Sequence, residues 1–234
     1  MHPKQILARA GKEPATGEML LYGDIGPAEW GMIDDKAFAD ELKKLGDVKT
    51  IQLRIDSAGG SAFTGISIYN QLQRHPARIE VTVDGIAASI ASIIAMAGDT
   101  ITMGEGAQLM IHDASTISWG NAAEMERTAV LLNSISGELA KIYARRSGRH
   151  EAEFRTLMRA ETWFTADEAV AAQLADRVSH EIHAAAYLDK HIAARFRHTP
   201  KALLTPRETV DNAAARASVS TMAARAALLR RPMK

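Results

Sequence analysis

From Thr50 to Ala97 the sequence keeps changing its hydrophobic period, and this most constrains the fold. Thr50-Ile51-Gln52-Leu53-Arg54-Ile55 alternates apolar and polar residues, the pattern of a half-buried strand. Asp56-Ser57-Ala58-Gly59-Gly60-Ser61 breaks the alternation, and Thr64 to Arg74 then carries Ile66, Ile68, Tyr69 and Leu72 near helical spacing. Ile79 to Val83 reads as a strand again. Ile90 to Ala97 reads as a second helix, ended by Gly98-Asp99. Strands that alternate with helices pack as α/β layers.

The same reading extends along the chain. Met19 to Gly23 is a first strand, and Asp34 to Leu45 a helix carrying Phe38, Leu42 and Leu45. Thr100 to Met103 and Gln108 to Ile111 are short strands. A long helix runs from Ala122 to Arg146, followed by short helices over Glu151 to Arg159 and Ala166 to Leu174. Three regions result: a flexible arm over 1–17, a folded domain over 18–183, and a C-terminal extension over 184–234. In the extension, Ala184 to Phe196 is predicted helical. Asn212 to Leu229, rich in Ala and Arg, lacks large apolar residues for a core of its own.

Charge separates the extension from the body. Three Lys and seven Arg against Asp189, Glu208 and Asp211 give residues 184–234 a net +7, in a chain whose total is zero. An acidic body with a basic tail is expected, the tail being suited to an acidic protein surface or, through phosphate contacts, to nucleic acid. The chain has no cysteine, which excludes disulfides, thiolate nucleophiles and cysteine-ligated metals. No apolar run approaches the roughly 18 residues of a membrane span, and the N-terminus lacks a secretory signal, so a cytoplasmic protein is expected.

The segment Val83-Asp84-Gly85-Ile86-Ala87-Ala88-Ser89-Ile90 places a hydroxyl where a strand meets a helix, among residues with small side chains. Serine at such a joint is commonly an N-cap, and Ser92 is read that way. A serine nucleophile needs a base to take its proton and donors for the oxyanion it creates. Gly59-Gly60 can turn a backbone N–H toward a ligand, though a plain turn explains such a pair better when it stands alone. His112, at a strand end 23 residues beyond Ser89, is a candidate base. A carboxylate must orient it; spacing alone leaves Asp99, Asp113, Glu161 and Asp167 open.

With these residues assembled, the sequence resembles the Clp protease proteolytic subunit, and most closely its relatives that act as head-maturation proteases in tailed phages. The resemblance runs from about Leu20 to Val178. It rests on four segments in order: Ile55-Asp56-Ser57-Ala58-Gly59-Gly60 with the helix after it, Gly85-Ile86-Ala87-Ala88-Ser89, Met110-Ile111-His112, and Trp163-Phe164-Thr165-Ala166-Asp167-Glu168-Ala169-Val170. It implies a crotonase-like stack of ββα units with a protruding handle helix, matched by Ala122 to Arg146. It also implies Ser89 as nucleophile, His112 as base, and an oxyanion hole from the N–H groups of Gly60 and Ile90. Gly59 and the segment through Ser115, Thr116, Ile117 and Ser118 would flank an extended substrate. Where the family carries its triad aspartate this chain has Glu161, which takes the orienting role.

The implied activity is a serine endopeptidase without metal or cofactor. Its polypeptide substrate would be a phage capsid or scaffold protein, and its assembly a homo-oligomeric ring, with the handle helix implying that two rings can stack. A subunit serving a Clp ATPase is the alternative within the same reaction class. From other classes come a crotonase-fold acyl-CoA enzyme and an inactive assembly protein, since fold does not fix function.

Overall fold

A computed structural model of the chain describes residues 5–13, 15–183 and 188–204. The strands are β1 (Gln5–Ala10), β2 (Thr16–Tyr22), β3 (Thr50–Ser57), β4 (Arg78–Ala88), β5 (Thr100–Glu105), β6 (Gln108–Ile111), β7 (Thr162–Thr165) and β8 (Arg177–His183). The helices are α1 (Asp35–Lys44), α2 (Ala62–Gln73), α3 (Ile90–Ala95), α4 (Ala122–Ser147), α5 (Glu151–Arg159), α6 (Ala166–Ala171) and α7 (Lys190–Ala193). Short 3-10 turns occupy Ala28–Trp30 and Lys201–Leu204. This is the mixed α/β architecture, with a mostly parallel sheet, that the strand–helix alternation predicts.

The sheet runs in the order β1-β2-β3-β4-β5-β8. Every pair from β2 to β8 in that row is parallel, and only β1 joins antiparallel. In β3 and β4, Ile51, Leu53, Ile55, Ile79, Val81 and Val83 are buried in one cluster with Phe38 of α1, Ile68 and Leu72 of α2, and Ile93 and Ile94 of α3. Their neighbours Gln52, Arg54, Glu80, Thr82 and Asp84 are less buried, as a period of two dictates for a sheet with one face in the core. On that polar face the Tyr22 hydroxyl donates to Asp84 at 2.5 Å and Arg54 grips the same carboxylate with Nε and Nη2. Burial, reinforced by the hydrogen bond to Asp84, pushes the Tyr22 phenol up to about 12.

β4 is the strand that positions the site. Its first half pairs with β5, from Glu80–Thr100 to Val83–Met103. Its second half leaves β5 and pairs with β6, Ile86 facing Gln108 and Ala88 facing Met110. β6 in turn pairs antiparallel with β7, Ile111 facing Thr162. The residues that follow β4 and β6 and the residue that precedes β7 therefore emerge at one edge of this small sheet.

Several sequence expectations are corrected here. Residues 5–10, predicted to lie in a flexible arm, form β1 on β2, with Ile6 and Ala8 packed against the core. β7 and β8 were not anticipated, because their apolar positions are too few to show a period. The helix predicted over Ala184 to Phe196 is reduced, among the described residues, to the four of α7. Its Leu188 and Ala193, with Leu203 further on, are drawn instead into contact with the domain and are buried with Ala58, Ile86, Ala88 and Met110. The compact unit accordingly extends to Leu204 rather than ending at 183. Residues 205–234, with the helix predicted from Asn212 to Leu229 and most of the basic charge, lie outside the described residues.

Candidate active site

Ser89 stands between the end of β4 and the start of α3. Its amide donates to Met110 O at 2.9 Å, extending the β4–β6 ladder by one step. Its backbone has φ 55 and ψ −128, a conformation that non-glycine residues seldom adopt. Its side chain caps nothing, so the N-cap reading fails for it. Such strain persists where surrounding contacts enforce it, and it turns the hydroxyl outward between strand and helix.

Two residues anchor this elbow from within. Ser92 is fully buried in α3 and donates from Oγ to the Ser89 carbonyl at 2.5 Å. Its only hydroxyl proton is used there, so the Tyr143 hydroxyl of α4, 2.7 Å away, donates to Ser92. Burial raises the Tyr143 phenol far above its ordinary value, so it remains a donor. Ser92 is therefore no N-cap, as the sequence reading had it, but the middle of a buried relay from α4 to the elbow.

Small residues matter by contact. A Cβ on Gly59 would lie 2.6 Å from Ala88 O and 2.8 Å from Ser89 Cβ, and one on Gly60 only 1.9 Å from Ile25 O. Both glycines also have positive φ, 89° and 146°. The β3–α2 loop pairs with Ile25 through the Gly59 carbonyl and the Ser61 amide, which leaves the Gly60 N–H outside that ladder. The Ile90 N–H, in the first turn of α3, has no intrahelical acceptor.

His112 follows β6 directly, and its Nε2 lies 2.8 Å from Ser89 Oγ. Its pKa is lowered, chiefly by burial; Glu161 and Asp113 pull it upward and Arg197 opposes them. The antiparallel register of β6 and β7, continued by one step, sets Glu161 opposite His112. Glu161 is 8% exposed with φ 50, and both its oxygens are engaged. They accept from the backbone N–H of Arg197 at 2.8 Å, from that of His198 at 2.6 Å, and from the Trp163 indole at 3.3 Å. Burial raises its pKa, but these donors and nearby His112 outweigh it, so the carboxyl is held below its ordinary value. Among the described residues no hydrogen bond joins Glu161 to His112; the link between them is electrostatic.

Two of the rival acids have partners of their own, and the third stands exposed. Asp113 is paired with Arg155, and Asp99 accepts from the Ile79 amide at 2.8 Å. Asp167 lies in the first turn of α6.

Beside Ser89 and His112 opens a cavity of about 380 Å³, walled by Phe63, Leu131, Leu132, Ile135 and Leu139. Gly60, Ile90, Ser115 and Thr116 also line it. Of the other residues expected at the substrate, Gly59 is buried behind the elbow, while Ile117 is 80% exposed and Ser118 bonds Thr128 at 3.1 Å; none of these three lines the cavity. The segment 112–120 contains no strand. Sequence reasoning missed Ser92, Tyr143, Trp163 and the segment 195–198. A serine one helical turn beyond Ser89 was the signal available for the first; the others are reached only through tertiary contact.

Among the described residues no helix is long and apolar enough to cross a membrane, and no cluster of His, Cys, Asp and Glu has the makings of a metal site. The Clp protease family model matches residues 39–181, more than half of the chain and the whole of the Ser89, His112 and Glu161 constellation. The chain belongs to the Clp protease family, a family of peptidases.

Proposed function

We propose that the chain is a serine endopeptidase, with Ser89 as nucleophile, His112 as general base and Glu161 as the acid that stabilises the imidazolium. The observation that carries this reading is the 2.8 Å approach of His112 Nε2 to Ser89 Oγ, at a strained elbow that opens on an apolar cavity. The proton of Ser89 Oγ passes to His112 Nε2 while Oγ bonds the scissile carbonyl carbon. The resulting oxyanion is met by the N–H groups of Gly60 and Ile90. The carbonyl re-forms, the C–N bond breaks, and His112 returns the proton to the leaving amine. Water, deprotonated by His112, then releases the acyl group and restores Ser89. No step calls on a metal or cofactor.

An extended substrate would lie along 115–118, pairing by its backbone, with a large apolar side chain in the cavity. We further infer that the substrate is a phage capsid or scaffold protein, cut during head assembly in the host cytoplasm or prohead. The glutamate in the acid position, the Trp163-Phe164 pair and the chain beyond the family match support this narrower reading. A homo-oligomeric ring is proposed as the working assembly. Treatment with a fluorophosphonate and mapping by mass spectrometry tests the chemistry: an adduct on Ser89, absent in a folded Ser89→Ala variant that also cleaves no peptide, is expected. Peptide cleavage retained by Ser89→Ala would discredit it.

A further inference from the structure

We propose that residues 195–198 are an intramolecular latch that holds Glu161 away from His112, so that the triad closes only when this segment moves. The inference rests on the peptidase reading above and adds a regulation of the same site.

Four observations converge on it. The two carboxylate oxygens of Glu161 accept from the Arg197 and His198 amides, and the imidazole across from them donates no hydrogen bond to that carboxylate among the described residues. The segment is fastened at both ends of this contact. Upstream, Arg195 makes a two-point ion pair with Asp24, its Nη1 lying 3.1 Å and its Nη2 2.5 Å from the carboxylate oxygens; downstream, His198 Nδ1 lies 3.1 Å from Ala160 O. Phe196 is laid edge-on against His112, centroids 5.9 Å apart, and against Trp163 at 5.4 Å. It also walls the cavity beside Ser89, so the segment touches base, acid and substrate space together. Finally, His112 and Glu161 border one cavity of about 400 Å³ with Arg195 and Arg197, which leaves the carboxylate room to turn toward the imidazole once its amide donors withdraw.

Electrostatics point the same way. A carboxylate bonded to the imidazole would favour the imidazolium that forms in catalysis. In the latched arrangement both its oxygens are engaged by the Arg197 and His198 amides and the Trp163 indole, and the Arg197 guanidinium opposes protonation of His112. The Ser89–His112 contact is already made, so only the third link is withheld.

The test is the rate of fluorophosphonate labelling at Ser89 in the full chain, with folding followed by circular dichroism. Arg195→Ala combined with Phe196→Ala removes the tether and the ring while leaving Ser89, His112 and Glu161 in place. It should label roughly tenfold faster than the unaltered chain or more, and adding Glu161→Gln should erase the gain, because the acid of a triad governs reactivity by orders of magnitude. If the double variant does not fold, Arg195→Ala alone is read by the same criteria. Equal or slower labelling in a folded variant overturns the latch and leaves the peptidase reading standing, since Ser89 still reacts. A gain that survives Glu161→Gln overturns it too, because the segment then merely obstructs access. No labelling of Ser89 in any form brings down the peptidase reading and the latch together.

Discussion

At the residue scale, His112 sets the acid limit of the reaction. The base must be neutral to accept the proton of Ser89, and burial lowers its pKa beneath the 6.5 of a free imidazole. Activity should therefore rise with pH through a midpoint below 6.5 and be level above it until another group titrates. Glu161 pulls that pKa upward, so its loss has a definite sign. Glu161→Gln keeps the shape of the side chain and removes its charge. It should move the midpoint of kcat/KM to lower pH and cut the plateau, by up to several orders of magnitude if the acid works as in other triads. A pH–rate profile of both forms checks the two effects separately; an unshifted midpoint would assign the influence on His112 to Asp113.

At the scale of elements, the relay from α4 through Tyr143 and Ser92 ties the long helix to the nucleophile elbow. Tyr143→Phe removes the donor to a fully buried hydroxyl. It should cost about 1–3 kcal/mol in denaturant unfolding and lower kcat more than KM, because Ser92 then holds the Ser89 carbonyl less firmly. Equal kcat with lowered stability would make the relay purely structural. The elements themselves were largely legible. α4 was predicted over Ala122 to Arg146 and spans Ala122–Ser147, because Asn121 with Glu124 forms a capping box and Gly148 ends the helix in the left-handed conformation. β6 and α5 fall on their predicted residues. Less legible were strands such as β7, four residues long, whose existence depends on pairing with β6. The residues proposed for the site, Ser89, His112 and Glu161, are those the motifs carry. The hold of Arg197 and His198 on Glu161 was not legible, because backbone amides leave no trace in residue identity.

At the scale of the whole molecule, the outer surface of α4 and the segment before it is unusually apolar for a face without a partner. Ile117 and Trp119 are 80% and 86% exposed, Val130 70%, and Leu131 and Met125 also reach the surface. A ring of subunits, proposed above, would cover such a patch. Val130→Asp should leave the subunit folded and shift the particle to smaller mass by light scattering; an unchanged mass would place the subunit contact elsewhere. The change of partner within β4 has a consequence of its own. Because the chain crosses from β5 to β6 part-way along one strand, the spacing of serine and imidazole is set by a ladder a few rungs long. The short turn between β5 and β6 is then the part of this stretch that can change length without moving the imidazole, whereas the segment after β6 is fixed by its place at the cavity. A single residue deleted inside 108–111 is another matter: it would send the imidazole to the opposite side of the sheet and silence the chemistry without unfolding the body.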